Sequence, residues 1–147
     1  MSYKIKKTLY FCYGHRLLNH KGRCRNIHGH NAALEITIQA EALDDMGMVT
    51  DFGDVTRIAK VWLDKNLDHK ILLNSRDPLV KVLRKMKEPF MEVNANPTAE
   101  VMAEMIYRAL KAKKLPVTKV KLWETPDSCA IYQERDTRSE EIGNSRR

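Results

Sequence analysis

Cys24, His28 and His30 stand close together in the segment Cys24-Arg25-Asn26-Ile27-His28-Gly29-His30-Asn31. Residues two apart on a β-strand point the same way, so His28 and His30 share a face if the segment is extended. His15 closes an earlier alternating stretch. If the two stretches pair across the intervening loop, the three imidazoles converge. Three neutral imidazoles with an open fourth position make a catalytic zinc site (Zn2+), whereas a closed structural site takes four protein ligands. Cys24 has two readings here: a fourth ligand, or a thiol free to move protons. His20, in the loop, reads as a surface residue or a rival ligand. Without the pairing, each histidine is an ordinary packed or exposed polar side chain.

Two further places carry chemistry. Asp68-His69 follows a helical stretch, and the carboxylate can orient or charge the imidazole. A plain turn after a helix explains the same pair. Glu124 shares strand parity with Val120 and Leu122, which predicts a buried carboxylate. Such a group needs donors. They come from a core arginine or from a ligand with several N–H groups.

The elements that must position these residues follow from periodicity. Ile5 to His15 alternates, with Ile5, Leu9, Phe11, Tyr13 and His15 on one parity. Ala32 to Ala42 alternates more cleanly, as a strand with one face buried does. The polar loop between them, 16–27, is long enough to suggest a functional role. Asp44 to Gly47 forms a turn, and Asp51 caps a helix carrying Val55, Ile58, Ala59, Trp62 and Leu63 on one stripe. Asp77 to Lys87 reads equally as a short helix or a turn, and Phe90 to Val93 as a short apolar segment. Pro97 opens a second helix with Met102, Met105, Ile106, Ala109 and Leu110 as its stripe, the methionines serving the core. Two strands around Val120 to Glu124 and Cys129 to Gln133 close the order ββααββ. This predicts an α+β fold: a four-stranded antiparallel sheet with two main helices, as a single domain over residues 1–134. Residues 135–147 read as a loose polar tail. The sheet has two open edges that a second subunit can pair.

Composition narrows the classes. The net charge of +7 invites a nucleic-acid partner, but the basic residues are dispersed and no stacking aromatics interleave with them. A small polyanionic substrate explains the excess as well, so no nucleic acid is expected. No apolar run reaches the roughly 20 residues of a membrane span, so no membrane partner is expected either. The opening Met-Ser-Tyr-Lys-Ile-Lys-Lys lacks the apolar stretch of a secretion signal. Three cysteines make no disulfide framework and point to a reducing, cytoplasmic setting.

Several pieces in order resemble the 6-pyruvoyltetrahydropterin synthase / 6-carboxytetrahydropterin synthase family. They are Phe11-x-x-x-His15-Arg16-Leu17, Cys24-x-x-x-His28-Gly29-His30-Asn31, Gly47-Met48-Val49-x-Asp51-Phe52, Leu67-Asp68-His69-x-x-Leu72-x-Asn74, Pro97-Thr98-x-Glu100 and Glu124-Thr125. The gap between Cys24 and His28 resembles the bacterial 6-carboxy-5,6,7,8-tetrahydropterin synthases of queuosine and deazapurine synthesis. The resemblance implies the tunnelling fold, assembled as trimers paired into a homohexamer with sites between subunits. It implies zinc on His15, His28 and His30, and Cys24 as the base. Asp68 and His69 would complete the proton relay. Glu124 would anchor the pterin, with Thr98 and Glu100 lining its pocket. The substrate implied is 7,8-dihydroneopterin triphosphate, with 6-carboxy-5,6,7,8-tetrahydropterin, acetaldehyde and triphosphate as products. A sibling yielding 6-pyruvoyltetrahydropterin and a non-catalytic pterin- or purine-binding module are the alternatives. Cys12, Tyr13 and Gly14 depart from the family pattern beside His15, and Val101 replaces a usual asparagine.

Overall fold

The computed structural model describes residues 1–135, so the expected tail lies outside the described residues except for Arg135. The chain runs β1 (Tyr3–His15), a short 3-10 turn (Arg23–Arg25), β2 (His28–Ala40), α1 (Phe52–Asn66), β3 (Lys70–Asn74), α2 (Leu79–Met86), β4 (Phe90–Val93), α3 (Ala99–Ala112), β5 (Val117–Thr125) and β6 (Ser128–Gln133).

The expected four-stranded antiparallel sheet is too small. Among the described residues six strands form one sheet in the order β4-β3-β1-β2-β5-β6. Strands β1, β2, β5 and β6 are the four antiparallel ones anticipated, and β3 and β4 add in parallel beyond β1. Among the described residues the two main helices expected, α1 and α3, are joined by a third, the short α2, which lies in the stretch that reads equally as a helix or a turn. The extra elements hide from periodicity for physical reasons. Leu72 and Leu73 are both fully buried, so β3 is covered on both faces and shows no alternation. Strand β4 has only four residues. Helix α2 starts at Pro78 without a side-chain cap from that residue and ends at Lys87 in the left-handed conformation, with no glycine to mark the stop. Its Val80 and Leu83 pack on Leu73 as a small separate cluster.

The hairpin of β1 and β2 is continuous from Tyr3↔Ala40 to His15↔His28. Strand β2 therefore begins four residues before the clean alternation does, because His28, Gly29, His30 and Asn31 interrupt the apolar pattern but not the ladder. Phe11 and Tyr13 of β1, Ala32, Leu34, Ile36 and Ile38 of β2 and Val117, Val120 and Leu122 of β5 form the covered face of the sheet. Helices α1 and α3 lie over it through Val55, Ala59 and Leu63, and through Met102, Ala103, Ile106 and Leu110. Asp51 caps α1 by accepting from the Gly53 amide, and Thr98 caps α3 by accepting from the Val101 amide.

Candidate metal centre and active site

The register places His15 directly opposite His28, and Tyr13 directly opposite His30. Opposed residues share a face, so all four side chains meet at one end of the hairpin. The imidazole centroids lie 4.5, 5.1 and 5.2 Å apart. Gly29, between the two histidines of β2, is required by close approach: a Cβ there would sit 2.9 Å from the Tyr13 carbonyl oxygen.

The rings are oriented from behind. Nδ1 of His15 donates to the Pro97 carbonyl at 2.8 Å, and Nδ1 of His28 to the Asn26 carbonyl at 2.8 Å. A carbonyl only accepts, so each Nδ1 carries the proton and each Nε2 presents a lone pair. Those two Nε2 atoms face each other at 3.0 Å. The Nε2 of His30 is buried beside them without a hydrogen-bond partner. Two opposed lone pairs and one orphaned ring nitrogen are satisfied together by a cation at their centre. Backbone carbonyls behind the rings are the usual outer support of metal-bound histidines. Burial lowers the pKa of His15, outweighing the Pro97 carbonyl and Glu124, which favour its charged form. The ring is thereby kept neutral, as a ligand must be. The donor set fits a divalent metal of the kind that takes imidazole.

A cavity of about 410 Å³ opens beside these rings and is bordered by Cys24, Thr98, Glu100 and Glu124. Thus seven of the nine residues marked by the sequence border one space. Cys24 sits in the 3-10 turn, half-buried and reduced. Thr98 and Glu100 come from the first turn of α3. Glu124, near the end of β5, is partly buried, and its Oε1 lies 3.8 Å from His15 Nε2 and 4.0 Å from His30 Nε2. The core arginine considered for it is replaced by Tyr13, whose hydroxyl donates to Oε1. Burial first, and this bond second, push the Tyr13 pKa far above the usual phenol range, so it stays a donor.

Asp68 and His69 lie elsewhere in the chain. They meet Cys12, which is one residue out of phase with Tyr13 and His15 and so points to the opposite face of β1. The Cys12 amide donates to Asp68 Oδ1 at 2.9 Å, and His69 Nδ1 lies 2.9 Å from Asp68 Oδ2. Adjacent side chains meet here because His69 takes the left-handed conformation, φ 56°, which folds the ring back. Burial raises the Asp68 pKa, but the Cys12 amide and His69 outweigh it and hold the carboxyl below its ordinary range. A second cavity of about 370 Å³ is lined by Cys12, His69, Lys70 and Asn31, with His30 on its wall as well. Within one chain, Cys24 and His69, the partner of Asp68, therefore border different spaces.

Two anchors hold the loop that carries Cys24. Arg16 grips Asp77 with Nε on Oδ2 at 2.7 Å and a second nitrogen on Oδ1. Asn96 pairs with both the amide and the carbonyl of Leu18, at 2.9 and 3.0 Å. Neither Asp77 nor Asn96 has a local sequence signal, since each acts on a loop some 60 or 80 positions away. Tyr13 and Cys12 stand out in the sequence only as departures beside His15; their partners are visible only in the fold.

A family model described as 6-pyruvoyl tetrahydropterin synthase matches residues 4–135. The chain is 37% identical over 131 residues to the 6-carboxy-5,6,7,8-tetrahydropterin synthase of Rickettsia bellii, covering 84% of this chain and 95% of that protein. It is 33% identical over 140 residues to the one of Haemophilus influenzae, covering 90% and 99%. Among solved structures, the fold is similar to Caenorhabditis elegans 6-pyruvoyl tetrahydropterin synthase, with TM-score 0.69, 23% identity and coverage of 92% and 97%. Match length and identity together place this chain in the 6-pyruvoyl tetrahydropterin synthase family.

Proposed function

We propose that the chain is a zinc-dependent lyase. It would convert 7,8-dihydroneopterin triphosphate to 6-carboxy-5,6,7,8-tetrahydropterin, releasing acetaldehyde and triphosphate. The observation that carries this reading is the single cavity in which three oriented imidazoles, a thiol and a carboxylate face one another. The relatives named 6-carboxy-5,6,7,8-tetrahydropterin synthase support the choice of product.

His15, His28 and His30 would hold the zinc, which would supply Lewis acidity toward the hydroxylated side chain of the substrate. Glu124 accepts N–H groups of the pterin while Tyr13 steadies one of its oxygens. Thr98 and Glu100 border the ring's seat at the start of α3. Cys24, which borders the same cavity, takes a proton from the substrate side chain as general base. Asp68 orients His69, which returns a proton as the second acid/base. Because His69 borders a different space from Cys24 within the chain, the relay needs a neighbouring subunit to deliver it. This agrees with a cytoplasmic homohexamer of paired trimers, with sites shared between chains. The product would feed queuosine or other 7-deazaguanine synthesis.

The test is a product assay. The zinc-loaded protein is incubated with 7,8-dihydroneopterin triphosphate and the pterin identified by mass. A 6-carboxytetrahydropterin with released acetaldehyde is the expected result. A 6-pyruvoyl product would move the chain to the sibling activity, and unchanged substrate would leave a pterin-binding module.

A further inference from the structure

We infer that Cys12, Asp68 and His69 form a second metal site, for a soft divalent cation, separate from the three-imidazole centre. One ligand atom of each lies within 4.8 Å of the other two. Thiolate, carboxylate and imidazole are the donors that zinc takes in proteins. Ligands on one tetrahedral zinc stand about 3.3–3.8 Å apart, given bonds of about 2.0–2.3 Å. The 2.9 Å between His69 Nδ1 and Asp68 Oδ2 is already close to that spacing. Small side-chain rotations bring all three to one ion.

The surroundings admit a cation. Asp68 is fixed from behind by the Cys12 amide, so its carboxylate is pre-aimed. His69 is largely exposed, which leaves an open coordination position for water. Lys70, the ammonium on the same wall, is drawn to the carbonyls of Asp64 and Asp68 at 2.8 and 3.4 Å. On binding, the cation replaces the proton shared by His69 Nδ1 and Asp68 Oδ2. That proton moves to Nε2 of the neutral ring, and the Cys12 thiol proton leaves to solvent. The site rests partly on the proposed function in one respect: an ion there occupies both members of the relay, so excess metal inhibits turnover.

The experiment is a titration of the metal-free, full-length protein with Co2+, followed by absorption and by equilibrium dialysis. Two equivalents per chain are expected, the second bringing a thiolate-to-cobalt band. In Cys12→Ser the second equivalent binds at least about tenfold more weakly and the band is lost. In Cys24→Ala both equivalents and the band persist, which separates the two thiols. His69→Ala serves as a second variant, and it too loses the second equivalent. A single equivalent in the unmodified protein, or a band that survives Cys12→Ser, overturns the site. These readouts need no turnover, so failure of the pterin assay leaves them standing and failure of the site leaves that assay standing. With turnover present, Cys12→Ser retains basal activity and loses inhibition by excess Zn2+; persistent inhibition overturns the regulatory consequence.

Discussion

The Tyr13 hydroxyl on β1 donates to Glu124 on β5, reaching over β2 to join strands that are not neighbours in the sheet. The bond fixes a carboxylate beside three imidazoles and occupies one of its acceptor sites. Tyr13→Phe keeps the ring and removes only the bond. Stability is expected to fall by about 1.5 to 2 kcal/mol, the lower part of the range for a bond to a charged group, because Glu124 is partly exposed. Steady-state kinetics should show KM for the pterin raised roughly threefold to tenfold with kcat little changed, equivalent to about 1 kcal/mol of binding. A fall in kcat alone would put Tyr13 in the chemistry instead.

Cys24 borders the cavity with the imidazoles, yet the three-histidine set is complete without it. Cys24→Ala should lower turnover by about 10²- to 10⁴-fold, the usual worth of a positioned general base. Metal content, measured by atomic absorption, should be unchanged. Loss of metal in that variant would identify the thiol as a ligand and remove the base assignment.

Cys24 and His69 face different cavities of one chain. If neighbouring subunits share sites, Cys24→Ala and His69→Ala chains should rescue each other. Co-expressed with two different affinity tags and purified through both, the mixed oligomer should turn over substrate where each parent is inert. An inert mixed oligomer would place the whole relay within one chain or exclude His69 from it.

The Arg16-Asp77 pair sets an acid limit on stability. The hydrogen bond from Arg16 holds the Asp77 carboxyl below its ordinary range, against the opposing effect of burial. A depressed folded-state pKa means a contribution fully present above the unfolded value of about 3.9 and lost as pH falls through the folded value. Asp77→Asn should therefore cost about 3 kcal/mol near neutrality, toward the lower end for a broken buried pair since Arg16 reaches water. Urea midpoints for the two proteins should converge as the pH drops from about 6 to below about 3. A gap that stays constant would show that the charge on Asp77 is not the source.

The convergence of His15, His28 and His30 is legible in the sequence because the backbone itself fixes it: two-residue spacing sets a face, and a hairpin sets the partner. Glu124 is legible as a buried carboxylate by the same parity, and the fold leaves it partly exposed. What sequence spacing does not disclose is depth and distance. Leu72 and Leu73, buried on both sides, conceal β3, and Lys87 ends α2 without the expected glycine. Asp68 and His69 are conspicuous as a pair, but which face of β1 they approach depends on β3 pairing in parallel with β1. The notable bulk at Tyr13 has no meaning until β5 brings Glu124 over β2.

One contact links the metal centre to a distant part of the chain. His15 Nδ1 meets the Pro97 carbonyl, 82 positions away and just before α3. A metal-free imidazole can carry its proton on either nitrogen; a ring bound through Nε2 must carry it on Nδ1. Metal loading thus makes the bond to Pro97 obligatory and ties β1 to the first turn of α3. The centre would then act as a rivet: the Val101 and Met102 amides, held by Thr98, should exchange with deuterium more slowly once the rivet is set.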